Sequence, residues 1–232
     1  MITVLVPAYN EEDVIGEFIS VFNRKSGLKD FELLIVNDGS VDGTRDIVLG
    51  LQESDSRIRL IDHEVNRGLG AAIQTGFQNA SGDVVVTMDS DLTHDPGKIK
   101  SLVDGLEGFD VCVGSRYVSG GGMEGVPAWR VALSVLANRF FQAIFFTKVR
   151  DITAGFKAYR TECVKSLALD SKGFSIQLEI MVRLLKTGVK FNEVPIILKT
   201  RDEGRGSSKF SFARMIPKYA VDILRLFFVR WF

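Results

Sequence analysis

The sequence predicts an α/β fold: a Rossmann-like, mainly parallel sheet flanked by helices, with amphipathic helices towards the C-terminal end. Three observations carry this expectation. Short apolar runs alternate with amphipathic segments through the first half of the chain, a polar cluster follows each of the first five runs, and the region after about residue 200 turns basic and amphipathic. Apolar runs separated by helices imply parallel strands covered on both faces.

In chain order, residues 2–6 read as a strand, 11–23 as a helix, 31–36 as a strand and 41–54 as a helix. Residues 58–61 make a short strand, 69–79 a helix, 83–88 a strand, and Pro96 opens a helix from a favoured first-turn position. Residues 110–113 form the fifth strand. Then the pattern changes. Glycines at 120–122 and 125 with Pro127 mark a loop, 131–146 is a very apolar helix, and its polar residues Ser134, Asn138 and Gln142 fall four apart on one stripe. Residues 176–187 read as a helix and 189–198 as one or two strands. Residues 202–208 form a Gly/Ser-rich loop, and 212–232 are helical, kinked near Pro217. The expected division is a catalytic domain over 1–210 and a C-terminal amphipathic helix over 211–232.

The chain has 232 residues, enough for one domain with a sizeable core. Its 29 Lys/Arg balance 29 Asp/Glu, so no basic field argues for nucleic acid. The balance is uneven: residues 199–232 hold eight Lys/Arg against three Asp/Glu, which suits an anionic partner such as a phosphate or a membrane surface. Cys112 and Cys163 have no metal-type neighbours and read as thiols of a reducing compartment. With no visible signal peptide and no apolar run long enough to span a bilayer, the expected place is the cytoplasmic face of a membrane, held peripherally. The helix over 131–146 is apolar nearly all round, and 212–232 carries Arg214, Lys218, Asp222 and Arg225 along one stripe, both patterns of interfacial helices.

In an open parallel sheet, the loops beyond the strands' carboxyl ends share one edge, where ligands bind. Asp89-Ser90-Asp91 ends the run 84–88, and two carboxylates at this spacing can converge on Mg²⁺ or Mn²⁺ bridging to a diphosphate, with Thr93 or His94 close by. The competing reading is a polar turn that caps the helix at Pro96. Asp38, beside Asn37, can accept hydrogen bonds from a base or ribose, Pro7 and Tyr9 can wall a base, and Glu11 can reach the ribose. Gly68-Leu69-Gly70 lacks the third glycine of a dinucleotide fingerprint, so these glycines instead allow a close backbone approach. Arg116 follows a strand on the active edge and Arg130 follows Trp129, while Arg201, Arg205 and Lys209 lie in or beside the loop 202–208. Gln177 and Glu179 open a helix and are placed to face a donor sugar.

Six elements together resemble glycosyltransferase family 2, in its polyprenyl-phosphate sugar synthase branch. They are V-P-A-Y-N-E at 6–11, V-N-D-G-S at 36–40, N-R-G-L-G at 66–70, D-S-D-L-T-H-D-P at 89–96, G-S-R-Y at 114–117 and D-I-T-A-G-F-K at 151–157. Asn37 stands where the family often has an acid, and Thr93 where its mannose synthases commonly have Gln. The resemblance implies a GT-A-type fold and inverting transfer of a hexose, mannose before glucose, from GDP-mannose or alternatively UDP-glucose to a polyprenyl (dolichyl) phosphate. It implies that Asp89, Asp91 and Thr93 hold Mg²⁺ or Mn²⁺. Pro7, Tyr9, Glu11, Asn37, Asp38, Ser90, Arg201 and Lys209 would complete the donor site, and Asp91, Arg116 and Arg130 would carry the transfer, the two arginines beside the acceptor phosphate. An acceptor that is a family 2 polysaccharide or protein is the other implied class.

Overall fold

The computed structural model describes residues 1–171, 173, 175–200 and 225–228. Arg201, Arg205, Lys209, the loop 202–208 and most of the expected helix 212–232 lie outside the described residues.

Seven strands form the main sheet in the order β3-β2-β1-β4-β7-β5-β8. They are β1 (Ile2–Ala8), β2 (Phe31–Asn37), β3 (Ile58–Asp62), β4 (Val84–Thr87), β5 (Val111–Ser115), β7 (Lys157–Arg160) and β8 (Phe191–Pro195). The pairs among β1 to β4 are parallel, as is β5 with β8. The exception is β7, which runs antiparallel between β4 and β5, with Lys157 opposite both Thr87 and Val113. The sequence reading placed no strand there and put β5 next in line after β4. A second, two-stranded sheet pairs β6 (Gly122–Glu124) with β9 (Ile197–Lys199), so part of the expected loop at 120–125 is a strand and 189–198 splits between two sheets.

The core has two halves because strand side chains alternate across the sheet. On one face Leu5, Leu34 and Val36 pack against Ile73 and Phe77 of α3 (Leu69–Asn79) and Ile176 and Ile180 of α7 (Ile176–Thr187). On the other, Val4, Val6, Leu33 and Ile35 meet Phe18 and Phe22 of α1 (Ile15–Lys25), Val48 of α2 (Thr44–Ser54) and Leu102 of α4 (Ile99–Asp104). α1 and α2 each start a few residues later than the periodicity predicts, because residues 10–13 and 40–43 are spent joining two loops. Asn10 N–H donates to Ser40 Oγ at 2.9 Å, Glu11 N–H to Thr44 Oγ1 at 2.8 Å, and Gly43 N–H to Glu12 Oε2 at 2.6 Å.

α5 (Ala128–Phe145) lies on the outside of this body. Its polar stripe faces inward: Ser134 Oγ accepts from Tyr117 Oη at 2.6 Å, Asn138 Nδ2 donates to Thr153 Oγ1 at 3.1 Å, and Gln142 Nε2 donates to the Val149 carbonyl at 2.9 Å. Leu136 and Phe140 point outward, 65% and 52% exposed. No helix among the described residues is long and apolar enough to cross a membrane. Of the C-terminal region, 225–228 is helical, with Leu226 buried in the core beside α7 and Phe227 and Phe228 exposed. The short α6 (Thr161–Lys165) follows β7 directly.

Candidate active site

The loops after β1, β2, β3, β4 and β5 gather at one edge, as parallel strands require. The loops after β2 and β3 are held together by Asp38, which is buried. Asp38 Oδ1 accepts from Arg67 N–H at 3.0 Å and meets His63 Nδ1 at 2.7 Å, and Oδ2 accepts from Gly68 N–H at 2.7 Å. His63 Nε2 reaches Thr75 Oγ1 at 2.9 Å. Asp38 thus spends its lone pairs on the scaffold of the edge. Asn37 is buried too, its Nδ2 donating to Asp62 Oδ1 at 2.5 Å and its Oδ1 accepting from Ser40 Oγ at 2.5 Å. Pro7, Tyr9 and Glu11 are half-buried along the same edge.

Two glycines are required by close approach. A Cβ on Gly39, whose φ is +68°, would lie 2.3 Å from the Val65 carbonyl carbon. A Cβ on Gly70 would lie 1.7 Å from the Ser171 carbonyl oxygen, so the close approach expected at Gly68–Gly70 is to another loop. That loop is fixed by Glu179, fully buried, which accepts from Ser171 N–H at 2.7 Å, Asp170 N–H at 3.1 Å and Arg183 Nε at 2.8 Å. Arg225 Nη2 joins the cluster, 3.1 Å from Glu179 Oε2 and 2.9 Å from Ser171 Oγ. Burial raises the Glu179 carboxyl, but the Ser171, Asp170 and Arg183 hydrogen bonds outweigh it and hold the group below its ordinary value.

The turn after β4 carries the acids. Leu92 takes φ +61°, a left-handed conformation that costs a non-glycine residue about 1–2 kcal/mol. That bend brings Thr93 back onto Asp91, whose Oδ1 accepts from Thr93 Oγ1 at 2.7 Å and Thr93 N–H at 3.1 Å. Lys199 N–H of β9 holds the Thr93 carbonyl at 3.0 Å. The cap at Pro96 is made by Asp95, whose Oδ1 accepts from Gly97 N–H at 3.1 Å, so neither Asp89 nor Asp91 is used for it. Ser90 is buried between them.

Three features of this turn fit a hard divalent cation. Its position in the cleft, then the Asp91 and Glu11 carboxylates, push Asp89 up to about 7. The Asp89 side chain stays 49% open to solvent, so a cation can reach it. The donors are carboxylate oxygens, the ligands that Mg²⁺ and Mn²⁺ take. The third is His94 Nδ1, buried without a hydrogen bond and 3.9 Å from Asp89 Oδ2, a gap too long for a direct contact. Burial pulls His94 down to about 4, against the pull of Asp91, which keeps the ring neutral. No three acidic, His or Cys side chains converge on one point among the described residues, so a diphosphate and water would have to complete the shell.

Arg116 sits on the next loop. Its Nε and Nη2 clamp Asp151 Oδ2 and Oδ1 at 2.7 Å each, and Nη2 also donates to Thr153 Oγ1 at 3.1 Å. Asp151 is fully buried, and its own N–H donates to Glu193 Oε1 at 3.1 Å. Burial lowers the Arg116 guanidinium, but the bonded Asp151 more than compensates and raises it. Arg130 is exposed on the first turn of α5, its guanidinium 5.2 Å from the centre of the Trp129 ring. The loops of this edge carry Pro7, Tyr9, Glu11, Asn37, Asp38, Asp89, Ser90, Asp91, Thr93 and Arg116, whereas Arg130 is on α5 and has no bond to any of them among the described residues.

Sequence reasoning missed Lys157. It is fully buried on β7, with Nζ 3.1 Å from Gln177 Oε1 and 3.5 Å from the Ile152 carbonyl. Burial pushes it down to about 7, against Asp151. Lys157 closes the D-I-T-A-G-F-K element at 151–157, but nothing in that pattern says that its ammonium is buried. His63 was missed because nothing in its sequence neighbourhood points to Asp38.

The sequence profile of the family described as glycosyl transferase family 2 matches residues 3–167. The chain is 34% identical over 210 residues to polyprenol monophosphomannose synthase of Mycolicibacterium smegmatis, covering 87% of this chain and 78% of that protein. It is 35% identical to dolichol-phosphate mannosyltransferase of Pyrococcus furiosus, covering 99% of this chain and 64% of that protein, and so spans under two thirds of it. Undecaprenyl-phosphate mannosyltransferase of Micrococcus luteus is 30% identical, with 95% and 91% covered. Among solved structures, glucosyl-3-phosphoglycerate synthase of Mycobacterium tuberculosis, crystallised with Mn²⁺, uridine diphosphate and glucosyl-3-phosphoglycerate, superposes with a TM-score of 0.72 at 23% identity, covering 97% of this chain and 79% of that one. This likeness identifies the architecture as the GT-A-type fold expected from the sequence.

Proposed function

The chain belongs to glycosyl transferase family 2, and from that membership we propose that it moves mannose from GDP-mannose to the phosphate of a polyprenyl lipid at a membrane surface, with inversion. The observation that carries the reading is the Asp89–Asp91 turn, a pair of carboxylates crowded together at the carboxyl end of the central strand β4. The relatives' names supply the sugar and the lipid class.

Asp89 and Asp91 would hold Mg²⁺ or Mn²⁺, whose charge offsets that of the departing diphosphate. Thr93 keeps Asp91 Oδ1 engaged and so orients the carboxylate. Asn37, Asp38 and Glu11 shape the nucleoside end, and Pro7 and Tyr9 flank the base. A phosphate monoester, with its second pKa at about 6, is already an anion at neutral pH. It needs no strong base, only to be held in line against the sugar. Arg116 suits that task. Asp151 fixes its Nε and Nη2, which leaves the Nη1 edge for a phosphate oxygen in a pre-set direction. Arg130 and the outward apolar face of α5 would meet the lipid surface. We place the contact at the cytoplasmic face, where Cys112 and Cys163 remain thiols.

The test is transfer of labelled sugar to polyprenyl phosphate from GDP-mannose and from UDP-glucose, with and without Mn²⁺. GDP-mannose with metal is expected to give product, and Asp91→Ala none, with its melting temperature retained. Full activity of Asp91→Ala would sink the metal role. Transfer from UDP-glucose alone would overturn the donor.

A further inference from the structure

Lys157 is the charged group that the proposed chemistry leaves without a task. A buried cation costs several kcal/mol unless it is paired, and a hydrophobic residue of the same length would pack at this position at less cost. Among the described residues no acid bonds to it: its hydrogen-bond partners are the Ile152 carbonyl and Gln177 Oε1, the latter at 3.1 Å. An ammonium has donors only, so it holds the oxygen of the Gln177 amide and not the nitrogen. The amide NH₂ must then face the other way. It does so above Gly155, where an added Cβ would stand 3.7 Å from Gln177 Nε2 and 3.4 Å from Asp89 Oδ2. Thr87 Oγ1 donates to the Gly155 carbonyl at 2.7 Å and keeps that floor in place. Above Gly155, a group that only donates faces the Asp89 carboxyl, which accepts in its ionised, cation-binding form. A hydroxyl, which does both, matches the pair. A phosphate oxygen does not, because it accepts from the amide but is repelled by the acid.

We propose that Gln177 binds a hydroxyl of the donor's hexosyl group through its amide NH₂, opposite Asp89, and that Lys157 is the positioning residue that sets the direction of that amide. The inference rests on the reading of the chain as a nucleotide-sugar transferase. It extends recognition of the sugar from the metal turn to the first turn of α7 and to the buried strand residue behind it.

The experiment is calorimetry in Mn²⁺ with the nucleotide sugar that the wild type binds, GDP-mannose or UDP-glucose, against its own nucleoside diphosphate. Gln177→Glu keeps an oxygen for Lys157 and removes the donor. It is expected to weaken the nucleotide sugar by about tenfold or more and the diphosphate by less than about twofold. Lys157→Met is expected to cost about threefold on the nucleotide sugar, and to cost nothing further once Gln177 is Ala. A purely structural lysine would lose affinity in both backgrounds. Gly155→Ala puts a methyl into the opening at ordinary contact distance, and is expected to reproduce the loss without touching either partner. Wild-type affinity for the nucleotide sugar in Gln177→Glu and in Gly155→Ala would overturn the proposal. So would an equal loss for the diphosphate. If the wild type binds neither nucleotide sugar, the failure lies in the transferase reading instead.

Discussion

α1 and α5 obey opposite rules. α1 buries Ile15, Phe18, Ile19 and Phe22 against the sheet and leaves Glu17, Asn23 and Arg24 in water. α5 buries Phe141 and Phe145 near its end, but over its first turns it directs Ser134 and Asn138 inward to hydrogen-bond the loops that carry Tyr117 and Thr153, and leaves Leu133, Leu136 and Phe140 outside. Burial of apolar surface drives the first arrangement. It works against the second, because each outward side chain, about half exposed, gives up about 1 kcal/mol of transfer free energy. The fold of the described chain therefore accounts for where α1 sits, but not for what α5 shows to its surroundings. A surface that folding does not explain points to a partner, and for this family member a lipid interface is the proposed one.

The contrast can be broken at several points. The largest expected effect is at Phe22, fully buried in α1. Phe22→Ala should destabilise by about 3–5 kcal/mol in a denaturant titration and leave vesicle binding untouched in whatever fraction stays folded. The buried cation Lys157 gives the next. Its proton is held more weakly folded, at about 7, than at its ordinary 10.5, so between those values the unfolded chain binds more protons. Stability should therefore rise as pH climbs from about 7 towards 10, by up to a few kcal/mol, and Lys157→Met should flatten that rise. A melting series in buffers of matched ionic strength measures it. Asn138 on the inner face of α5 comes third. Asn138→Leu leaves Thr153 N–H without its acceptor and should cost about 1–3 kcal/mol, with transfer falling as the loop that Arg116 clamps loosens. The smallest change in stability is expected outside. Leu136→Ser with Phe140→Ser should alter stability by less than about 1 kcal/mol, yet reduce partitioning onto anionic vesicles about tenfold or more. If both helices responded alike, with the outer pair costing as much as Phe22, the outward face of α5 would be packed and the lipid reading would fail.

Much of this was legible before the structure. The four leading strands, their helices and the polar loops after them follow from period and punctuation, because parallel strands must be apolar throughout and their turns must be polar. The stripe Ser134, Asn138, Gln142 was visible as a spacing, but a spacing does not say which side of a helix faces the body. β7 was not legible, since four residues ending a motif have too little pattern to mark a strand, and an antiparallel insertion depends on partners seventy residues away in Thr87. The roles of Asp38 and Glu179 were half-read. Both looked like ligand-facing acids, and both are spent on backbone N–H groups that join loops distant in sequence. The clamp of Arg116 on Asp151 joins loops 35 residues apart, and the pairing of Lys157 with Gln177 arises only when β7 and α7 come together.

The placement of β7 also governs the order in which the chain can be completed. β4 is made early, but its outer edge has no neighbour until residues 157–160 arrive, and β5 cannot join the sheet except through them. During synthesis the first half therefore forms an incomplete sheet with one open, apolar border that persists while about seventy more residues are added. Closure of that border is a single late event of high sequence separation, the kind that sets a slow folding phase and exposes a chain to mispairing. The same strand that carries Lys157 to the donor edge thus also joins the two halves of the sheet, β4 on one side and β5 on the other.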